Sequence, residues 1–150
     1  MTLSEMFDSN LVLLKNKSTS KNELIGKLLE QIYKTGREPP FSSDEVQKKV
    51  LMREEIGGTL FPSGLSVPHA RLMDYEGFVL AVGTTVEPII HDGIQIRLVA
   101  LMLSSQSGGQ YYLPTLAALT KLSRDGAYFT RLCSSESYDD FIKIIRERDQ

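Results

Sequence analysis

Two nearly continuous apolar segments in the middle of the chain restrict its fold more than any other feature. They are FVLAVGTTV at 78–86 and IRLVALMLS at 96–104, and both are rich in aliphatic and β-branched residues. A strand without alternating polar residues has no face for solvent, so it must be covered on both sides. The two segments therefore predict central strands of a sheet that lies inside a layered α/β domain.

Helical patterns precede and follow these strands. Two helical segments come before the strands, STSKNELIGKLLEQIYKTG and SSDEVQKKVLMREE. Near the start of each segment a serine, Ser20 or Ser42, stands three residues before a glutamate, which is a capping signal. YYLPTLAALTKLSRD and SYDDFIKIIRER come later. Since proline is tolerated in a first helical turn, Pro114 predicts that the third helix begins near Leu113.

The remaining segments are expected to be short strands and turns. LVLLK at 11–15 is a candidate first strand, EPIIHDG at 87–93 is expected to be a turn, and SSQSGGQ at 104–110 is expected to be a flexible link. GGTLFPSGLSVPHA at 57–70 predicts a loop that leads into a short strand ending at His69. The order is two helices, three strands and two helices, so we expect one α/β domain over residues 1–150.

Composition excludes several classes of function. The chain has a net charge of −2 without a basic block, so a nucleic-acid partner is not expected. It has no apolar run long enough to cross a bilayer and no basic signal-peptide start, and its single cysteine, Cys133, forms no internal disulfide. We therefore expect a cytoplasmic protein. One cysteine and two histidines make no structural zinc set, so neither a metal nor another cofactor is expected.

His69 is the main candidate for a functional residue, and two interpretations of it remain open. It follows a glycine-rich loop at a predicted sheet edge, where neutral imidazole could act as a nucleophile because its ordinary pKa is about 6.5. The alternative, which composition alone favours, is a half-buried histidine that hydrogen-bonds to a carbonyl group. Arg53 is either paired within its helix or holds an anion near His69. His91 is expected in a solvated turn, and Cys133 is expected to be a structural thiol at a helix end.

The segment REEIGGTLFPSGLSVPHARL resembles the active-site block of one family of bacterial proteins. That block is RE-x-x-G-x-T-G-I-G-x-G-I-A-I-P-H-G of the fructose/mannitol-type IIA domains of the phosphoenolpyruvate-dependent sugar phosphotransferase system, which include nitrogen-regulatory IIA proteins. VEPIIHDGIQIRLVALML is similar to the family's next conserved segment. The residues that match the block at ungapped spacing are Arg53, Glu54, Gly57, Thr59, Gly64, Pro68 and His69.

The resemblance implies a fold and a site. The family's fold is a sandwich with a mixed sheet between helices. His69 would accept a phosphoryl group from the histidine-containing phosphocarrier protein, and Arg53 together with loop amides near Thr59 would hold the phosphoryl oxygens. In transport members the group passes to a IIB domain and then to a sugar. In nitrogen-regulatory members it changes which target protein is bound.

Three positions depart from the family pattern. Leu60 and Pro62 stand where glycines are usual, and Tyr112 stands where a second histidine normally polarises the phosphoacceptor. A phenol can donate one hydrogen bond but carries no charge near neutral pH. Tyr111 could take the same place after a one-residue shift. The resemblance implies a phosphoryl carrier, and we expect a regulatory role because these 150 residues contain no IIB or membrane IIC segment. The alternatives are a separate IIA protein for sugar uptake and a binding module without efficient phosphorylation.

Overall fold

The computed structural model describes residues 2–149, which form one five-stranded mixed sheet with helices on both faces. The strands are β1 Val12–Asn16, β2 Leu65–Ser66, β3 His69–Leu72, β4 Phe78–His91 and β5 Ile94–Ser105. The helices are α1 Lys21–Lys34, α2 Ser43–Gly57, α3 Tyr112–Arg124, α4 Gly126–Cys133 and α5 Tyr138–Arg146. Two short 3-10 turns, Leu3–Met6 and Ser9–Leu11, precede β1. Within residues 2–149, no helix is both long enough and apolar enough to cross a membrane.

The two apolar segments form the centre of the sheet, as the sequence predicts. The strand order is β1-β4-β5-β2, and β3 pairs with β5 just beyond β2. β4 and β5 are antiparallel, while β1 runs parallel to β4 and both β2 and β3 run parallel to β5. The sheet is therefore mixed, and the predicted α/β sandwich is confirmed.

Alternate residues of β4 and β5 contribute to different cores. Leu80, Val82 and Met102 pack on the face covered by α3, α4 and α5. Val79 and Leu101 pack on the opposite face, which α1 and α2 cover. Both faces of the sheet are buried under helices, which explains why these strands lack the alternating polar residues of a solvent-facing sheet.

The caps of α1 and α2 form as expected. Ser20 Oγ accepts the backbone N–H of Glu23 at 3.1 Å, and Ser42 Oγ accepts that of Glu45 at 3.2 Å. Each bond satisfies one of the free amides in a first helical turn.

The expectation that 87–93 is a turn is wrong. β4 continues to His91 and pairs with β5 down to Ile94, so only Asp92 and Gly93 form the connection. Both have positive φ, 50° and 77°, which a two-residue type I′ hairpin turn requires. Pro88 lies where the register shifts between Thr84 and Ile89, a place where a strand tolerates a missing N–H.

Two other boundaries differ from those expected from the sequence. His69 begins β3 instead of ending a strand, because β2 stops at Ser66 and the chain passes through Pro68 before pairing again with β5. A short helix, α4, lies between the last two predicted helices and begins after Asp125, whose side chain accepts the N–H of Tyr128. The predicted first strand is confirmed as β1.

Candidate functional site

His69 lies in a cleft of about 430 Å³ between α2, β3 and the start of α3. The cleft is lined by Lys49, Met52, Arg53, Ile56, His69, Ala70, Arg71 and Tyr112. The parallel pairing of β3 with β5 sets the position of His69, which stands in register with Met102. The carbonyl of Pro68 also accepts the N–H of Met102 at 2.9 Å, so the backbone immediately before the imidazole is fixed to the central sheet.

The His69 imidazole is anchored to the sheet by a serine. His69 Nε2 lies 2.7 Å from Ser104 Oγ, and Ser104 Oγ donates to the carbonyl of Ser105 at 3.0 Å. A hydroxyl has one proton, so this chain of bonds is fully satisfied when Nε2–H donates to Ser104. The neutral ring then carries its lone pair on Nδ1. The hydrogen bond to Ser104 therefore orients the ring and favours the tautomer with its proton on Nε2.

Burial keeps the imidazole neutral. Only 6% of His69 is exposed. Its pKa is lowered to about 4, mainly because burial penalises the charged ring and further because the cations of Arg71 and Arg53 repel a proton. A neutral imidazole with a free lone pair is the form that a nucleophile requires.

Tyr112 lies on the face of the imidazole. The two ring centroids are 3.8 Å apart and the ring planes make an angle of 12°. The first residue of α3 thus occupies the neighbourhood of His69, where the resemblance places the family's second histidine. The contact is made by the face of the phenol. The rival, Tyr111, lies instead against Phe78, at a centroid distance of 5.8 Å.

Arg53 shares the cleft with His69, and Thr59 does not. Arg53 Nη1 donates to the carbonyl of Gly57 at 2.8 Å, so the guanidinium also caps the last turn of its own helix. Thr59 lies outside the residues that line the cleft. Its carbonyl accepts the N–H of Val67 at 2.8 Å, which ties the glycine-rich loop to the segment before His69.

Three residues of the site are not apparent from the sequence patterns above. Arg71 follows His69 by two positions on β3, and alternation along a strand places such residues on one side. Lys49 precedes Arg53 by four positions, so both lie on the same face of α2. Ser104 had no signal in the sequence, because only the register of β3 with β5 brings it to the imidazole.

A buried ion pair supports the end of α2. Lys21 Nζ lies 2.8 Å from Glu54 Oε2, and both side chains are 6% exposed. Glu54 Oε1 is buried without a partner among the described residues. His91 Nε2 lies 3.5 Å from Lys21 Nζ, so His91 ends β4 beside this pair and is not the fully solvated turn residue we expected. The pair joins the first turn of α1 to the residue next to Arg53.

Cys133 takes no part in the cleft. It is the last residue of α4, at a helix end as expected. Burial raises the pKa of its thiol to about 12, so the thiolate is absent near neutral pH. Since the thiolate is the reactive form, the position favours a structural role.

Sequence and structure comparisons identify the same family as the block around His69. Residues 5–148 match the family described as phosphoenolpyruvate-dependent sugar phosphotransferase system, EIIA 2. A nitrogen regulatory protein of Klebsiella oxytoca is 30% identical over 112 residues, which cover 71% of this chain and 68% of that protein.

Two further similarities come from sugar systems. The 2-O-alpha-mannosyl-D-glycerate-specific EIIABC component of Escherichia coli is 25% identical over 153 residues, which cover 99% of this chain but only 23% of that protein. The E. coli complex of IIA-mannitol with phosphorylated IIB-mannitol superposes with a TM-score of 0.77 at 20% identity, covering 95% of this chain and 98% of the matched chain. That match supports the fold alone. The family match covers nearly the whole chain, and the chain therefore belongs to the fructose/mannitol-type EIIA family of the phosphoenolpyruvate-dependent sugar phosphotransferase system.

Proposed function

We propose that this protein accepts a phosphoryl group on His69 from the histidine-containing phosphocarrier protein. The observation that carries the proposal is the pairing of a neutral, serine-anchored imidazole with two arginines at one cleft. Phosphoryl transfer needs an aligned nucleophile and stabilisation of the charge on the phosphoryl oxygens. In our proposal His69 is the nucleophile. Arg53 and Arg71 stabilise the charge on the phosphoryl oxygens.

The transfer step follows from this arrangement. The lone pair of His69 attacks phosphorus, the bond from phosphorus to the donor's histidine nitrogen breaks, and the electrons of that bond return to the donor ring. The proton on His69 Nε2 stays hydrogen-bonded to Ser104, so the imidazolium that forms is partly stabilised. In our proposal Arg53 leaves the Gly57 carbonyl to bind the phosphoryl oxygens, and the amides near Thr59 remain second candidates for the same role.

We place the carrier in a regulatory pathway in the cytoplasm. The nitrogen regulatory protein of K. oxytoca is its relative at 30% identity, and this favours a target protein that is bound according to the phosphorylation state of His69. The sugar-specific relative supports the alternative, a IIA protein that passes the group to a IIB domain. The stacked Tyr112 in place of a second histidine supports a third candidate, a binding module that is phosphorylated slowly.

The test is direct phosphorylation. The protein is incubated with phosphoenolpyruvate and the two general phosphotransferase proteins, and intact-mass measurement follows the addition of one phosphoryl group. We expect a single, acid-labile adduct in the wild type and none in His69→Gln. An adduct that persists in His69→Gln, or one that maps to His91, would contradict the assignment. Adding an isolated IIB domain then separates the transport alternative, because only a sugar-uptake protein should lose the group to it.

A further inference from the structure

The cleft around His69 carries more positive charge than one phosphoryl group needs. Lys49, Arg53 and Arg71 all line it, and no carboxylate does. Within residues 2–149, no carboxylate lies at ion-pair distance from any of these three cations. The chain as a whole has a net charge of −2, so the positive charge of the cleft is a local feature whose sign is opposite to that of the whole chain.

The face of α2 that lines the cleft lowers the stability of the helix. Lys49 and Arg53 are four positions apart, and like charges at this spacing destabilise a helix. Met52 and Ile56 stand between and beside them on that face and are 53% and 81% exposed. Among residues 2–149, the hydrogen bond from Arg53 to the Gly57 carbonyl is the only hydrogen bond that these two cations make, and the exposed apolar side chains bury little surface in the fold. The composition of this helix face is explained if a ligand supplies the missing negative charge and covers the apolar surface.

The size and wall of the cleft indicate a small molecule. Its volume of about 430 Å³ lies within the usual range for small-ligand sites, about 300–1,000 Å³. Met52, Ile56 and the Tyr112 ring give it apolar walls, and the cations lie among them. A phosphate monoester carries a charge of about −1.5 to −2 near neutral pH, and a carboxylate on the same molecule adds one more. Such a molecule matches three cations.

We propose that the unphosphorylated protein binds a small phosphorylated carboxylic acid in this cleft, without covalent reaction, through Lys49, Arg53 and Arg71. The inference rests on the proposed function only in that both use the same cleft. Binding would occupy the space that an incoming phosphoryl group needs, so the ligand would inhibit phosphorylation of His69 competitively. The protein would then respond to the level of a metabolite as well as to its phosphoryl donor.

The first experiment measures binding without transfer. Isothermal titration calorimetry at low ionic strength compares 3-phosphoglycerate with glycerol 3-phosphate, which has the phosphate but lacks the carboxylate, and with orthophosphate. We expect saturable binding of 3-phosphoglycerate that is at least fivefold tighter than that of the other two. Equal affinity for all three compounds, or no saturation, overturns the proposal.

Variants locate the site. Arg71→Gln and Lys49→Gln should each weaken 3-phosphoglycerate binding roughly tenfold, the usual order for a lost charge-assisted contact. Lys48→Gln is the matched control, because Lys48 is an exposed cation on the same helix outside the cleft, and it should bind like the wild type. Equal losses in Lys48→Gln and Lys49→Gln would show unspecific attraction and overturn the site. Since all three side chains are exposed, the variants should fold, which circular dichroism checks.

A last variant separates this inference from the proposed function. His69→Gln removes the nucleophile but keeps the three cations, so it should still bind 3-phosphoglycerate within about threefold of the wild-type affinity. Loss of binding in a folded His69→Gln protein overturns the inference while leaving phosphorylation of the wild type unaffected. Conversely, a wild type that binds the ligand but accepts no phosphoryl group contradicts only the proposed function.

Discussion

The aromatic ring of Tyr112 is stacked on the imidazole of His69, with centroids 3.8 Å apart and ring planes 12° from parallel. This contact buries one face of the imidazole, and only 8% of Tyr112 is exposed. A phenol in this position packs well but supplies no second imidazole beside His69. The stacking contact therefore holds the imidazole in place, whereas Ser104, Arg53 and Arg71 provide its hydrogen bond and the nearby positive charge.

Replacing Tyr112 tests whether it limits transfer. A second imidazole in its place can support charge on His69, and such support is worth roughly 100-fold in comparable sites, so Tyr112→His should increase the initial rate of phosphorylation. Tyr112→Phe is the control, because it keeps the stacked ring without the hydroxyl, and its rate should stay within about twofold of the wild type. Rates measured by intact mass decide between them. A Tyr112→His variant no faster than Tyr112→Phe would show that Tyr112 does not stand in for the missing histidine.

Ser104 should control the tautomer of His69. In Ser104→Ala the Nε2–H loses its acceptor, so we expect a mixture of the two neutral tautomers in the nitrogen NMR spectrum, where the wild type shows one. Losing this buried hydrogen bond should also lower the free energy of unfolding by about 1–2 kcal/mol. Ser104→Thr keeps the hydroxyl and should restore the single tautomer. An unchanged spectrum in Ser104→Ala would remove the positioning role.

Arg53 should matter more for phosphorylation than for folding. Its guanidinium is exposed and bonded to the Gly57 carbonyl, so Arg53→Gln should leave the unfolding midpoint nearly unchanged. A charge-assisted contact to phosphate is worth on the order of 1.5–3 kcal/mol, which corresponds to a rate of phosphorylation more than tenfold slower. Lys48→Gln, on the same helix but outside the cleft, is the matched control. Equal phosphorylation rates in the two variants would count against the role of Arg53 in binding the phosphoryl oxygens.

The lowered pKa of His69 predicts a dependence of stability on pH. The pKa is about 4 in the folded protein and 6.5 for an imidazole that is not buried, so the unfolded chain binds more protons between these values. The free energy of unfolding should therefore fall as the pH decreases from 6.5 to 4, by up to about 3 kcal/mol. Urea denaturation across this range measures it. In His69→Gln the free energy of unfolding should decrease less over this pH range, because the contribution of His69 is absent.

The same pKa predicts how the reactivity of His69 depends on pH. Because His69 is already neutral well above pH 4, the rate at which it accepts a phosphoryl group should be flat from about pH 5.5 upward. It should decrease only as the imidazole becomes protonated at lower pH. A rate that halves near pH 6.5 would mean that the imidazole is more solvated than its burial implies.

Removing Glu54 should destabilise the fold. The carboxylate pairs with the buried ammonium of Lys21, and Glu54→Ala would leave that charge unpaired, at a cost of about 3–5 kcal/mol. Glu55→Ala is the matched control, because Glu55 is its exposed neighbour, and it should change stability by less than about 0.5 kcal/mol. Urea denaturation of both variants at neutral pH provides the measurement. Similar stabilities would show that the pair contributes nothing.

The sequence alone determined the layers of the fold and indicated His69 as the principal candidate for a site residue. The apolar segments at 78–86 and 96–104 predicted central strands, and Ser20 and Ser42 predicted two helix starts. These signals are local, since periodicity and capping depend on residues a few positions apart. The block that includes Arg53 and His69 likewise lies within one short stretch, so the residues of that stretch are sufficient to indicate the family.

Tertiary structure decided the remaining features, because they depend on contacts between distant segments. Helix α4 has modest helix propensity over GAYFTRLC and is held by burying Tyr128, Phe129 and Leu132 in the core. The strand through Pro88 exists because β5 pairs beside it down to the Asp92–Gly93 turn.

The environment of His69 was also beyond the sequence. Ser104 lies 35 residues from His69 along the chain, and only the register of two parallel strands brings its hydroxyl to Nε2. The stacking of Tyr112 depends in turn on where α3 packs against the sheet. Sequence patterns identify which residues can do chemistry, whereas burial and register set the protonation state and partners that decide whether they do.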